Sequence, residues 1–431
     1  MIPKAAETSV APTAEQVRRP KILVVLGAYL PGYKAGGPLR SIENLVAALG
    51  NEFDFRILTS NHDEGDLAPY PGVVTNRWVP VGRAQVMYLP PGLRGVLSIC
   101  ARLIEIDERD TVLYLNSFFS RRHSILPIFL RWLTLCRPRC LVIAPRGEFS
   151  PGALRLKQGR KRLYIIFSRW LKLYGGLIWH ASSDFEAADI RRGFPRAKHI
   201  DIANILAASN EPATGRSTEL ATASDIGPAP PAYRVAGQKS PGRLRVAFLA
   251  RLARKKNLSG AIEMLGGVSG DITFDIYGPV EDAGYWKECQ RLMAELPANI
   301  HAQYLGQIAH EEVPRALAEH DLFFFPTLGE NYGHTIAEAL AVGCPVLISD
   351  QTPWRNLEAE GVGWDLPLED IGEFRRVLQQ CVDGDGKWHA ALSERARNYA
   401  AQRASDPAVV EANRRLFQRA ASWPWRSTDL S

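Results

Sequence analysis

The apolar positions of this chain fall into short unbroken runs, separated by longer stretches in which apolar residues recur three and four apart. Unbroken runs rich in Val, Ile and Leu suit strands buried on both faces, and the intervening period suits helices that cover them. In the first half the runs lie at 21–27, 53–59, 85–89, 111–116, 140–144, 177–181 and 199–203. The first, KILVVLG, leads into the loop AYLPGYKAGG, then into Pro38 and LRSIENLVAAL, which stops at Gly50. A proline in the first turn and a glycine just past the last are helix boundaries, so strand, loop and helix make one unit. Repetition of that unit predicts a doubly wound α/β sheet.

A second alternating series begins at 244 with LRVAFLA and continues at 272–277, 302–305, 321–326, 345–349 and 362–365. Helices fit the gaps at 282–296, 311–320 and 335–342. Between the two series, residues 206–243 are rich in Ala, Ser, Thr, Pro and Gly without apolar period, as in a linker or mobile insertion. Residues 1–20 are expected to be a disordered tail, and 401–431 a helix that frays into a tail. The expected architecture is therefore two Rossmann-like domains, 21–205 and 244–400, facing a central cleft, as a length of 431 residues also favours.

Composition removes several classes. With 46% hydrophobic and 23% charged residues the chain is neither disordered nor fibrous. Six scattered cysteines do not form the framework of a small secreted domain and are read as reduced, which points to the cytoplasm. The most apolar candidate for a membrane span, 125–136, is broken by Pro127 and Arg131, and residues 1–20 lack the apolar core of a signal peptide. Charge is unevenly spread. Residues 111–183 hold thirteen Lys or Arg and one acid, Glu148, although the whole chain carries only +6. Within that segment PGALRLKQGRKRLYIIFSRWLKLY interleaves basic and aromatic residues, which suits an anionic membrane surface on the inner leaflet, with a solvated basic face as the alternative.

The stretch 326–340, PTLGENYGHTIAEAL, carries the chemistry. It runs from the end of an apolar strand through a glycine-containing loop into a helix, and ligands of open α/β sheets bind at that edge. Peptide N–H groups of about 333–336 are expected to be unpaired at the helix start and to suit a pyrophosphate. Glu330 on the loop and Glu338 in the helix flank that site, and carboxylates so placed find partners in hydroxyls, a sugar on one side and a ribose on the other. Taken alone, two glutamates eight residues apart could equally be a loop residue and a helix-surface residue.

The combination resembles the Glu-x7-Glu motif of retaining GT-B glycosyltransferases of family four, the group 1 glycosyl transferases. The likeness extends through FLARLARKKN at 248–257, where Arg251 and Lys256 stand at Arg-x4-Lys spacing, FDIYGP, YLG and GCPVLISD, and reaches KILVV, Gly36–Gly37 and HASSDFE in the first half. It implies that Glu338 binds the ribose, that Glu330 binds the donor sugar, and that Arg251 and Lys256 hold the diphosphate. The loop residues Asn331, Tyr332, Gly333, His334 and Thr335, with Gly36 and Gly37 across the cleft, are the remaining donor contacts. Asn116, Arg146 and Glu148 are candidate contacts to sugar or acceptor. Asn116, in LYLNSFF, stands where many family members carry a histidine. The implied donor is a UDP- or GDP-linked sugar, with no cofactor and no metal, and no Asp-x-Asp follows an apolar strand. The implied acceptor is a saccharide or a polyprenyl-diphosphate-linked saccharide in cell-surface polysaccharide synthesis. A nucleotide-sugar epimerase or a phosphorylase is the alternative on the same fold. An NAD enzyme is disfavoured by the absence of Gly-x-Gly-x-x-Gly, and a nucleic-acid partner by the absence of a recognisable module.

Overall fold

Each apolar run becomes a strand at the centre of its domain, because a segment apolar on both faces can be satisfied only between two layers of helices. The computed structural model describes residues 19–424 apart from 33, 64, 67, 107–109, 156–157 and 207–238. The expected tail at 1–20, most of the linker at 206–243 and the last residues of 401–431 lie outside the described residues.

The first sheet comprises β1 (Lys21–Val25), β2 (Asp54–Ser60), β3 (Trp78–Val81), β4 (Ala84–Leu89), β5 (Thr111–Leu115), β6 (Cys140–Ile143), β7 (Ile178–Ala181) and β8 (Ile200–Ile202). Their order is β3-β4-β2-β1-β5-β6-β7-β8. Every pairing is parallel except β3 with β4, a hairpin the apolar pattern did not mark because β3 (WVPV) is short, half-exposed and interrupted by Pro80. The second sheet comprises β9 (Arg243–Leu249), β10 (Asp271–Tyr277), β11 (Ile300–Gly306), β12 (Leu322–Phe325), β13 (Val346–Ser349) and β14 (Gly363–Leu366). It is parallel throughout, in the order β11-β10-β9-β12-β13-β14.

Both orders reverse direction at one point, between β1 and β5 in the first sheet and between β9 and β12 in the second. Loops leaving the carboxyl ends of the strands on either side of such a point diverge and leave a crevice. Gly36–Gly37, Asn116, Arg251–Lys256 and Glu330–Thr335 all lie on those four loops.

The carboxyl-terminal segment departs from expectation. Helix Gly386–Ala404 belongs to the second domain, but helix Pro407–Ala421 returns to the first and packs on β5 and β6. Leu416, Phe417 and Ala420 are part of the first domain's core, Phe417 against Phe53, Phe55 and Tyr114. Arg414 adds two bonds to Glu52, Nε to Oε2 at 2.7 Å and Nη2 to Oε1 at 2.9 Å. The segment is thus a structural part of the first domain, and domain boundaries do not follow chain order. Phe417→Ala should remove about 3–5 kcal/mol from the first domain, the usual loss for a buried aromatic side chain. Hydrogen exchange should then accelerate in peptides covering β2 and β5 while those covering β10 and β13 stay protected; equal acceleration in both domains would contradict this assignment.

Candidate active site

The second domain supplies a fixed loop with two charged arms. After β12, Leu328 N–H donates to Lys255 O at 2.9 Å and Glu330 N–H donates to Gln351 O at 2.9 Å, so the loop is fastened on both sides. Gly333 ends it with φ 79°, and a Cβ there would meet Ile336 Cδ1 at 2.6 Å. Only glycine makes that turn into helix His334–Ala341. The expected run of unpaired donors is shorter than 333–336, because Ile336 N–H already bonds Gly333 O at 2.9 Å. The N–H groups of His334 and Thr335 have no hydrogen-bond partner among the described residues.

Glu330 and Lys256 meet directly as an ion pair, with 13% and 18% of their side chains exposed. Burial alone would raise the Glu330 carboxyl, but Lys256 and Lys255 override it and hold its pKa below the ordinary value. Two residues expected to contact different parts of a ligand are therefore bonded to each other. Arg251 lies beside them and is drawn outward by Glu281, Nη1 to Oε2 at 3.2 Å. Glu338 differs from Glu330. Burial pushes its carboxyl up to about 7, opposed only by Arg40 of helix Gly37–Leu49 in the other domain, and His310 Nδ1 stands 3.8 Å away.

The first domain presents a buried relay behind the cleft. His180 Nε2 lies 2.8 Å from Ala203 O and Nδ1 lies 2.8 Å from the Tyr114 hydroxyl. Burial holds this imidazole neutral, with a pKa of about 3, so Nε2–H donates to the carbonyl and Nδ1 accepts from the tyrosine. Tyr114 then accepts from Arg146 Nη2 at 2.7 Å, Arg146 Nε donates to Asn116 Oδ1 at 2.7 Å, and Asn116 Nδ2 donates to Pro38 O at 3.0 Å. Asn116 thus ties the β5 loop to the first turn behind Gly36–Gly37. Arg146 holds a left-handed φ of 55°, and its Nη1 is buried with no partner among the described residues.

Glu148 is occupied by its surroundings. Its carboxylate accepts from Ser117 Oγ at 2.8 Å, Phe118 N–H at 2.6 Å and Phe119 N–H at 2.8 Å, so it organises the loop after β5. Two further residues span the cleft. His334 Nε2 is 3.4 Å from Ser41 Oγ, its ring packs on Tyr332 at 4.8 Å, and a side chain at Gly37 would stand 3.4 Å from its Cδ2. Burial is the main reason its pKa falls to about 4, so it is neutral there. Asn331 Oδ1 lies 2.8 Å from Ser182 Oγ.

Ser182 and Glu186 are site residues that motif reading did not single out. Glu186 Oε1 accepts from Gly147 N–H at 2.6 Å and Oε2 accepts from Ser182 N–H and Oγ at 2.8 and 2.6 Å. One carboxylate thereby holds the β6 loop, the β7 loop and the contact to Asn331. Glu186 lies within HASSDFE, but nothing in that string states what it grips.

Residues 231–402 match the family described as Glycosyl transferases group 1. A phosphatidyl-myo-inositol mannosyltransferase of Mycobacterium leprae is 27% identical over 163 residues, 36% of this chain and 42% of that protein. The protein of the same description in Mycolicibacterium smegmatis is 30% identical over 104 residues, 23% of this chain and 27% of that protein. The match thus spans less than half the length of these curated relatives. Anabaena HepE, solved with UDP and glucose, superimposes with a TM-score of 0.63 at 17% identity, covering 94% of this chain and all of that one. Sucrose-phosphate synthase from Thermosynechococcus elongatus gives 0.63 at 14% identity, covering 93% and 99%. Residues 231–402 thus resemble the group 1 glycosyl transferases, and the chain as a whole has the fold of two facing Rossmann-like domains, the GT-B architecture.

Proposed function

We propose that this chain is a retaining, metal-independent glycosyltransferase that moves a sugar from a UDP- or GDP-sugar to a saccharide or lipid-linked saccharide in cell-surface polysaccharide synthesis. The observation that carries this reading is the Lys256–Glu330 pair, set beside two unpaired helix N–H groups and opposite Gly36–Gly37. The UDP and glucose bound by HepE, and the mannosyl transfer named for the mycobacterial relatives, support the substrate class.

Binding of a diphosphate gives Lys256 a more highly charged partner than Glu330, and the N–H groups of His334 and Thr335 point at the same anion. Glu330, released, accepts hydroxyls of the donor sugar. As the bond between the anomeric carbon and the phosphate oxygen breaks, Lys256 and Arg251 stabilise the charge that gathers on the diphosphate. Glu148 is committed to three donors, and burial keeps His180 and His334 neutral within their own contacts. The acceptor proton therefore passes to the departing phosphate oxygen while the acceptor oxygen bonds the anomeric carbon. That transfer places acceptor and leaving group on one face of the sugar and retains configuration. Glu330→Gln and Lys256→Ala should each lower kcat/KM more than about tenfold, the loss of one charge-assisted contact. Wild-type turnover should survive EDTA, and NMR of the first product should show the donor's anomeric configuration; an inverted product or a strict metal requirement would sink the mechanism.

Glu338 supplies a pH dependence. A carboxyl raised to about 7 is protonated in the nucleotide-free protein below that pH, and the neutral acid cannot accept from both ribose hydroxyls. Nucleotide binding must then expel the proton, so affinity falls as pH drops. Calorimetry should give a dissociation constant about tenfold weaker at pH 6 than at pH 8, and Glu338→Gln should flatten the profile. An unchanged slope in the variant would assign it to another group.

The same reading places the protein on an anionic membrane surface. Among the described residues no helix is long and apolar enough to cross a membrane. Helix Gln158–Trp170 nevertheless exposes Leu163, Ile166 and Trp170 to 69%, 62% and 76%, with Arg160, Arg162 and Arg169 exposed beside them. Apolar bodies flanked by cationic heads match the headgroup boundary. Several other basic residues of the 111–183 segment turn inward, Arg122 to Pro90 O and Arg131 to Gly175 O, so the surface is narrower than charge counting suggested. Ile166→Glu with Trp170→Glu should reduce co-sedimentation with phosphatidylglycerol vesicles about tenfold or more and leave transfer to a water-soluble acceptor unchanged. Equal sedimentation of variant and wild type would refute the assignment.

A further inference from the structure

The run Arg254-Lys255-Lys256 forms a single 3₁₀ turn, and with three residues per turn its side chains fan out in three directions. Arg254 turns outward to Glu288, Nη2 to Oε2 at 2.7 Å. Lys256 turns inward to Glu330. Lys255 takes the third direction, toward the first domain. A Cβ added at Gly329 would meet Lys255 Cε at 3.6 Å and Ser150 Oγ of the first domain at 3.8 Å, so the lysine stem lies where the two domains abut. Its backbone is fixed, since its carbonyl accepts from Leu328 N–H at 2.9 Å and Thr327 Oγ1 at 3.1 Å.

Unlike its two neighbours, the Lys255 ammonium has no hydrogen bond or ion pair among the described residues. Burial lowers its pKa, with Lys256, Arg251 and Lys161 adding to the effect and only Glu330 opposing it. Lys161 belongs to helix Gln158–Trp170, the helix of the exposed apolar face; it donates to Ala153 O at 2.7 Å and lies 5.1 Å from the Phe119 ring centroid. A cation half withdrawn from water without a bonded partner is unfavourable unless a ligand completes it. The donor diphosphate does not need it, because Lys256, Arg251 and the start of helix His334–Ala341 already serve that group. What remains is an anion arriving from the first domain, next to Glu330 and on the side of the basic helix.

We infer that Lys255, at the junction with Ser150 of the first domain, forms a second anion subsite that binds a phosphate carried by the acceptor. The inference rests on the donor-site reading above and deepens it: the acceptor is a phosphorylated or diphosphate-linked saccharide, with its phosphate close to the hydroxyl that receives the sugar. A neutral glycan would leave the subsite empty.

The test separates the two anion sites. The full-length protein is saturated with UDP or GDP, whichever binds more tightly, and methyl phosphate is titrated in by calorimetry. Wild type should bind methyl phosphate in this ternary state, Lys255→Gln should bind it at least about tenfold more weakly, and Lys255→Arg should retain it within about threefold. Nucleotide affinity should stay within about threefold in both variants, which shows that the donor site is intact and the variants are folded. Equal methyl phosphate binding by wild type and Lys255→Gln, or none by the nucleotide-saturated wild type, would overturn the subsite while leaving the donor reading in place. No binding of UDP or GDP to wild type would remove that reading, and the subsite with it.

Discussion

The ion pair between Lys256 and Glu330 is the interaction around which the cleft is organised. Neither group would keep its charge alone at that depth, since each is more than four-fifths buried by its own side-chain exposure. Together they hold a carboxylate and an ammonium ready at the carboxyl ends of β9 and β12, where the strand order leaves a crevice. The loop that carries Glu330 is tied to Lys255 on one side and Gln351 on the other. The lysine turn and the glutamate loop are therefore fastened to each other by backbone bonds as well as by the ion pair.

The opposite wall is built by a different means. Two carboxyl groups fix its loops through short bonds from backbone N–H groups, Glu148 the β5 loop and Glu186 the β6 and β7 loops. Such a wall has little freedom to adjust to a ligand by itself. Adaptation falls to the contacts across the cleft, His334 against Gly37 and Ser41, and Asn331 against Ser182. Asn331 lies on the Glu330 loop and His334 begins the helix that follows it, so both contacts across the cleft flank the candidate site. The return of helix Pro407–Ala421 to the first domain gives the two domains a second covalent crossing and limits how they can move apart.

Charge is distributed to match. Glu330 is kept ionised by lysines, whereas Glu338, with one arginine across the cleft, is kept near neutrality by burial. Two carboxylates of one motif thus differ because their neighbours differ. The basic residues of the first domain divide similarly. Some bond backbone carbonyls, some line the exposed helix, and Lys161 near the start of that helix bonds Ala153 O.

The sequence by itself determined the two-domain α/β architecture and the sheet edge at which the candidate site residues gather. Runs such as KILVVLG and LFFF can be satisfied only inside a sheet covered on both faces, and Glu330, Lys256 and Gly333 were marked by their places after strands and before a helix. Local patterns of that kind are legible because they depend on neighbours in the chain. Tertiary structure alone decided the rest. No period in the sequence could say that Phe417 fills the core of a domain that begins at Lys21, that Glu148 serves three donors in its own domain, or that Glu186 reaches Gly147. Nor could it separate three consecutive basic residues into a surface pair, a buried pair and a lysine without a bonded partner among the described residues. Those outcomes are set by which loops the two switch points bring face to face, and contacts between residues remote in the chain leave no local signal to read.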